Sequence, residues 1–334
     1  MGIDFSSDWT QTLGRVWLAP MTGVSDLPFR QTAAALGARY QATEMVACES
    51  LLGSRTEAVR RAAIGEDLPV MVVQLVGADS KLFAQAARLS ERAGAQIIDL
   101  NFGCPAKSVT GQACGSALMR HPDKLEAIVS AACEATDVPV TVKMRLGWDA
   151  GSLNAAELAQ RAVGAGARAV TVHGRTRAQF YTGAADWAAV SPVSAAAGAP
   201  VIVNGDIGDG ESARVALAQS GAQAVMVGRH AIGRPWIAQM LEASLSGRSA
   251  REPDPTERLA IVIGHLRRSL AFYGEALGVL MFRKHLAAYI DAAPWPADVQ
   301  ARRAARARLC RLPVRDIEAA LRALWAPTSQ RLAA

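Results

Sequence analysis

Eight short apolar runs recur along the chain, each followed by a polar or glycine-bearing turn: Val16–Ala19, Gln41–Thr43, Val70–Val73, Gln96–Leu100, Val140–Val142, Ala169–Val172, Val201–Val203 and Ala224–Val227. Helical patterns separate most of them, at Leu27–Leu36, Ser80–Arg92, Pro122–Thr136, Ala155–Gly164, Trp187–Ala196, Gly210–Gln219 and Ala231–Leu245. The runs are continuous rather than alternating, as strands buried on both faces read. Strands alternating with helices imply a parallel sheet. An open sheet gathers its ligand site at one switch point, whereas here polar residues follow nearly every run. The repeat therefore predicts an α/β fold, a TIM (β/α)8 barrel over residues 1–245, with its site on the rim where the strands end.

A small all-helical C-terminal domain is expected over 246–334. Ser246–Ser249 and Arg251–Pro255 lack apolar periodicity and contain prolines that end helices, and the patterns beyond them (Thr256–Tyr273, Leu277–Asp291, Asp298–Arg311 and Val314–Leu324) are all helical. Charge divides along the same line. Residues 251–334 hold 14 Lys and Arg against 8 Asp and Glu, while residues 1–250 hold 22 of each. A basic surplus confined to one segment points to a polyanionic partner. Five cysteines without CxxC pairing fit free thiols in a reducing compartment. The polar start has no signal-peptide pattern, and no apolar stretch is long enough to span a bilayer. A cytoplasmic protein without membrane contact is expected.

Candidate chemistry lies past the runs. Cys104 sits between Gly103 and Pro105, at the start of a long loop through Gly111 and Gly115 to His121; loops of this length tend to be functional. Its thiol suits either a nucleophile, given a nearby cation, or a general acid. Lys143 places an ammonium on the rim, Arg145 follows with the same orientation by strand alternation, and His173 ends the next run. Asn204-Gly205-Asp206 and Gly228-Arg229 close the last two strands, where such barrels often hold a phosphate. Neither GxGxxG after a strand nor GxxxxGK[ST] is present. A mononucleotide cofactor such as FMN is the economical choice, and no ligand cluster suggests a metal.

The segments Ala19–Asp26, Asp99–Pro105, Lys143–Arg145, Val172–Thr176, Asn204–Ile207 and Met226–Arg229, with Arg283-Lys284-His285 further on, together resemble the bacterial flavin-dependent tRNA-dihydrouridine synthases, the B-type above all. The similarity runs from about Arg15 to Tyr289. It implies an FMN-bearing barrel, a helical tRNA-binding domain, and NADPH (or NADH) as reductant. Hydride would pass to C6 of a tRNA uridine while a cysteine, here Cys104, protonates C5. By position it implies FMN contacts at Pro20, Met21, Thr22, Gln74, Lys143, His173, Asn204, Gly205, Asp206, Gly228 and Arg229. Asn101, Arg145 and Arg175 would face the uridine, and Arg283, Lys284 and His285 would meet the substrate RNA. Thr22 departs from the small alanine common in the family. The arginines of the last helices match it poorly, and no protein partner is implied. Two rivals remain from the residues: an FMN barrel acting on a free pyrimidine, such as a dihydroorotate dehydrogenase, and a non-catalytic RNA-binding barrel.

Overall fold

The computed structural model describes residues 3–5, 9–106, 113–293 and 298–325. Its strands are β1 (Val16–Leu18), β2 (Tyr40–Gln41), β3 (Val46–Ala47), β4 (Val72–Val76), β5 (Ile97–Phe102), β6 (Val140–Arg145), β7 (Ala169–His173), β8 (Val201–Asn204) and β9 (Ala224–Val227). All pair in parallel, in the order β2-β1-β9-β8-β7-β6-β5-β4-β3. The ring closes just past β2, where Ala42 bridges Val72 of β4 and the Thr43 amide donates to the Val72 carbonyl at 3.0 Å. With β3 as a short extra partner of β4, eight strands form the barrel.

Side-chain alternation sorts each strand into two faces. Outward residues such as Leu18, Leu75, Leu100, Val142, Val172 and Val203 pack under the surrounding helices in the largest core. Inward residues build a second core at the base of the barrel: Trp17, Tyr40, Val72, Ile97, Ala169, Ile202, Ala224 and Met226, plugged from below by Phe5, Trp9 and Leu13. Trp17 stacks on Tyr40 with ring centroids 3.8 Å apart. Aromatics are few in this chain, 5% of residues, and several of them close the base.

The strands run further than the apolar runs predict. β4 occupies Val72–Val76 rather than Val70–Val73, so Gln74 lies mid-strand; β5 continues through Asn101, and β6 through Lys143 to Arg145. The physical reason is a polar inner layer above the apolar base. It breaks hydrophobicity without breaking the ladder, as Asn101 pairing with Lys143 and Arg145 with His173 show. The sequence pattern also gives no sign of β3 or of the helices Cys48–Leu52 and Thr56–Arg61 that follow it.

Beyond the barrel come helices Pro255–Tyr273, Glu275–Ala292, Val299–Leu309 and Val314–Trp325. The first starts at a capping box between Asp254 and Glu257, with Pro255 at its first position. Gly274, at φ +77°, turns the chain into the second. A Cβ at Gly278 would lie 2.7 Å from the Ser269 carbonyl, so glycine lets the two helices cross closely. Val262, Leu266, Phe282, Leu286, Leu309, Leu321 and Trp325 form a core of their own, which Trp236 joins from the barrel side. Glu252 in the connecting strap accepts from the Trp236 indole at 2.6 Å and from Arg258 at 3.0 Å. No helix among the described residues is long and apolar enough to cross a membrane.

Candidate active site

At the C-terminal mouth of the barrel, an open cavity of about 530 Å³ is lined by Ala19, Pro20, Met21, Lys143, His173, Arg175, Tyr181, Asn204, Gly205, Asp206, Gly228, Arg229 and His230. The ends of β1, β6, β7, β8 and β9 thus meet around one opening. Under it lies the polar inner layer. Gln74 donates to Asp99 at 2.6 Å, Thr141 donates to the other Asp99 oxygen at 2.7 Å, and Asn101 donates to Gln74 at 2.8 Å. Burial pushes the Asp99 carboxyl up to about 6, opposed by the Thr141 and Gln74 bonds and the Lys143 charge. Gln74 therefore sits below the cavity floor as part of this network.

Lys143 is half-buried and donates to Asn204 Oδ1 at 3.2 Å. Asn204 is oriented in turn by its own bond to the Met226 carbonyl at 2.7 Å. Burial, then the neighbouring Arg145 cation, lowers the lysine to about 8. His173 is lowered to about 2 by burial and then by Lys143, Arg145, Arg175 and Arg229, so its imidazole is neutral. Gly205 approaches closely: a Cβ there would sit 2.7 Å from the Ala185 Cβ and 3.0 Å from the His173 ring, at φ +120°.

The arginines divide by task. Arg175 is buried and bonds the Thr182 and Gly183 carbonyls, the His173 ring and the Asp206 carboxylate. Arg145, also buried, donates to the carbonyls of Gly103, Thr176 and Phe180 at 2.9, 2.8 and 2.8 Å. Both guanidiniums hold loops; Arg175 also lines the cavity, whereas Arg145 lies beside it. Arg229, with half its side chain exposed, reaches Asp206 at 3.0 Å. Burial would raise Asp206, but the Arg175 hydrogen bond outweighs it and keeps the carboxyl below its usual range. Asp206 adopts φ +55°, outside the usual region for a non-glycine residue, with Ala185 N–H donating to it at 2.8 Å.

The expected phosphate cradle needs one correction. The N-terminus of helix Gly210–Ser220 carries its own carboxylate, since Asp209 caps the Ser212 amide at 2.7 Å. The Gly228–Ala231 turn with Arg229 is the remaining cationic corner of the mouth.

Cys104 is partly buried just past β5. The Asn101 carbonyl oxygen of the side chain accepts from the Gly103 and Cys104 amides at 3.1 and 2.9 Å, and Ser116 donates to the Cys104 carbonyl at 2.9 Å. The thiol lies within electrostatic reach of Lys143 and Arg145. Residues 107–112 of its long loop, Gly111 among them, lie outside the described residues. Thr22 is exposed and does not line the cavity.

Arg283, Lys284 and His285 lie on helix Glu275–Ala292 and do not line the cavity. His285 is buried, stacked on Phe29 with centroids 5.6 Å apart, so its ring has no surface to offer an RNA. Lys284 points at the β1 loop, its Nζ 3.6 Å from where a Cβ on Gly23 would be. Tyr181 is a site residue that the sequence pattern does not single out. It is 54% exposed at the cavity edge, with the Arg229 guanidinium 5.0 Å and the Arg145 guanidinium 5.6 Å from its ring. One of four tyrosines in the chain, standing on a turn between Thr176 and Gly183, it carried a signal.

A closed parallel barrel with a polar mouth is thus the class defined by fold and site. It has a structural counterpart in histamine dehydrogenase from Rhizobium sp. 4-9, with a TM-score of 0.51 and 13% identity over 76% of this chain and 49% of that one. The family follows from sequence. The family model described as Dihydrouridine synthase (Dus) matches residues 17–311. A probable tRNA-dihydrouridine synthase of Rhodobacter capsulatus is 48% identical, covering 86% of this chain and 90% of its own length. The tRNA-dihydrouridine synthase B of Vibrio cholerae is 43% identical over 82% of this chain and 85% of its own length. The chain belongs to the dihydrouridine synthase family.

Proposed function

We propose that this protein is a B-type tRNA-dihydrouridine synthase, reducing the C5=C6 bond of uridines in tRNA with FMN in the barrel mouth and NADPH as reductant. The observation that carries the reading is the convergence of Lys143, His173, Asn204, Gly205 and Arg229 on one opening, with a thiol on the same rim, in a member of this family. These residues fit a flavin mononucleotide. Lys143 offers a cation to the ring system, one way proteins tune a flavin. Neutral His173 and Gly205 form a close wall. Pro20, Met21, Gly228 and Arg229 line the same opening, with Arg229 a cation that would suit the phosphate.

When bound, FMN supplies hydride-transfer chemistry. The chain supplies the rest. Cys104 holds the proton destined for C5 of the base, and Asn101 holds the turn on which Cys104 stands. Residues 1–245 act as the catalytic barrel, and 246–334 as the basic helical domain that docks tRNA in the cytoplasm. The target uridine must leave its stack to reach the mouth, at a cost of a few kcal/mol, which phosphate contacts to the helical domain offset. Incubating the purified protein with unmodified tRNA and NADPH should convert uridine to dihydrouridine, read by mass spectrometry. No product with a flavin-loaded preparation would refute the reading, and product from free orotate chemistry instead would favour the small-molecule rival.

Lys143 also gives a pH dependence. Its ammonium loses its proton as pH rises through about 8, while the FMN phosphate, with a second pKa of about 6, stays fully ionised. FMN affinity of the cofactor-free protein should therefore fall between about pH 7 and pH 9. Lys143→Met should bind FMN more weakly at neutral pH and show no slope across that window. Titration by flavin fluorescence quenching checks this, and equal slopes in the two proteins would remove the lysine from the site.

A further inference from the structure

Where the helical region meets the barrel rim, Asp26, His265 and His285 each bring one ligand atom within 4.8 Å of the others. They come from the β1 loop, helix Pro255–Tyr273 and helix Glu275–Ala292, which is why no spacing in the sequence shows them as a set. All three are buried, at 2%, 0% and 2% exposure. The Nε2 atoms of both histidines lack a hydrogen-bond partner among the described residues. Leaving a buried polar atom unpaired is costly, so two of them on rings 4.5 Å apart call for an explanation.

We propose that these three residues form a binding site for one divalent transition-metal ion of the zinc class, clasping the helical region onto the barrel. Two imidazole nitrogens and one carboxylate are a recurring zinc donor set that leaves a further position for water. Nitrogen donors disfavour magnesium and calcium, which take oxygen ligands. The surroundings supply the outer support such a site needs. Tyr289 Oη lies 3.0 Å from His265 Nδ1 and fixes the ring, leaving Nε2 as its unpartnered nitrogen. Asp26 is held by the Phe29 amide at 3.0 Å and the Tyr273 hydroxyl at 3.2 Å. Burial keeps both imidazoles well below their usual range, His265 at about 3, and hence neutral with lone pairs available. Burial raises Asp26 to about 6, so it is mostly ionised at neutral pH. Lys284, Arg268 and Arg30 nearby oppose a cation; Asp26 itself and Glu44 offset them.

The ion would tie the first residue after the Pro20–Ser25 loop, whose Pro20 and Met21 line the cavity, to both long helices. The test is independent of the assigned reaction. The full-length protein is stripped with a chelator, given zinc alone, freed of excess by gel filtration, and assayed for metal content and melting temperature. Cobalt alone serves as an optical probe of nitrogen and oxygen coordination. The expected result is about one zinc per chain with a raised Tm, both lost in His285→Gln. Asp26→Asn, which keeps the helix cap, should retain the fold but bind zinc at least about tenfold more weakly. Less than about a tenth of an equivalent bound by the wild type, or uptake by Asp26→Asn or His285→Gln equal to the wild type, would overturn the site.

Discussion

Cys104→Ala is expected to retain bound flavin and to lose dihydrouridine formation by about 10²- to 10⁴-fold, the range for removing a positioned proton donor. The thiol stands on a turn fixed by Asn101 and Ser116, outside the cavity lining that would hold the cofactor, so its removal leaves that lining intact. The yellow absorbance and reduction by NADPH should therefore be unchanged while transfer to the base fails. Single-turnover reduction and oxidation of the flavin separate the two half-reactions. If oxidation by tRNA stays within about twofold of the wild type, the proton comes from elsewhere.

The second large effect concerns docking. In the last helices Arg306 already meets Asp291 at 2.8 Å, and Arg302 donates to the Asp291 carbonyl at 2.8 Å. Arg303, Arg308 and Arg311 are exposed on the same stretch. Replacing all three by alanine should weaken tRNA binding and flatten the dependence of log affinity on log salt by about two to three units, roughly 0.9 for each phosphate no longer neutralised. Flavin content should not change, because none of the three approaches the barrel mouth. An unaltered salt slope would move the docking surface to another face of the helical region.

The barrel was legible because its strands are buried on both faces, so outward residues and the apolar inward residues of the base together make continuous runs. The strand ends were not, for the same reason in reverse. Gln74, Asn101, Lys143 and Arg145 point inward and are paired with polar neighbours on and beside the barrel wall, so hydrophobicity stops while the ladder continues. Read as lying beyond the strands, these four are instead part of the strands' own inner layer, and among them Lys143 alone lines the mouth. What the sequence does not show is which side chains are engaged in holding the structure. A buried arginine that binds three carbonyls and an exposed one at the cavity edge look alike in sequence, and only geometry separates Arg145 from Arg229. His285 misled for a related cause: it follows two cations on a helix, but the 3.6-residue period turns it inward against Phe29. The aromatic at the mouth, Tyr181, sits on an irregular turn with no periodicity to announce it.

The grip of Arg145 on Gly103, Thr176 and Phe180 has a mechanical outcome. One planar cation couples the segment that bears the thiol to the one that bears Tyr181, so these two sides of the entrance form a single stiff jaw. Widening to admit a bulky nucleotide is then left to other parts of the rim, among them the Pro20–Ser25 segment, against which Lys284 of a long helix is seated at Gly23.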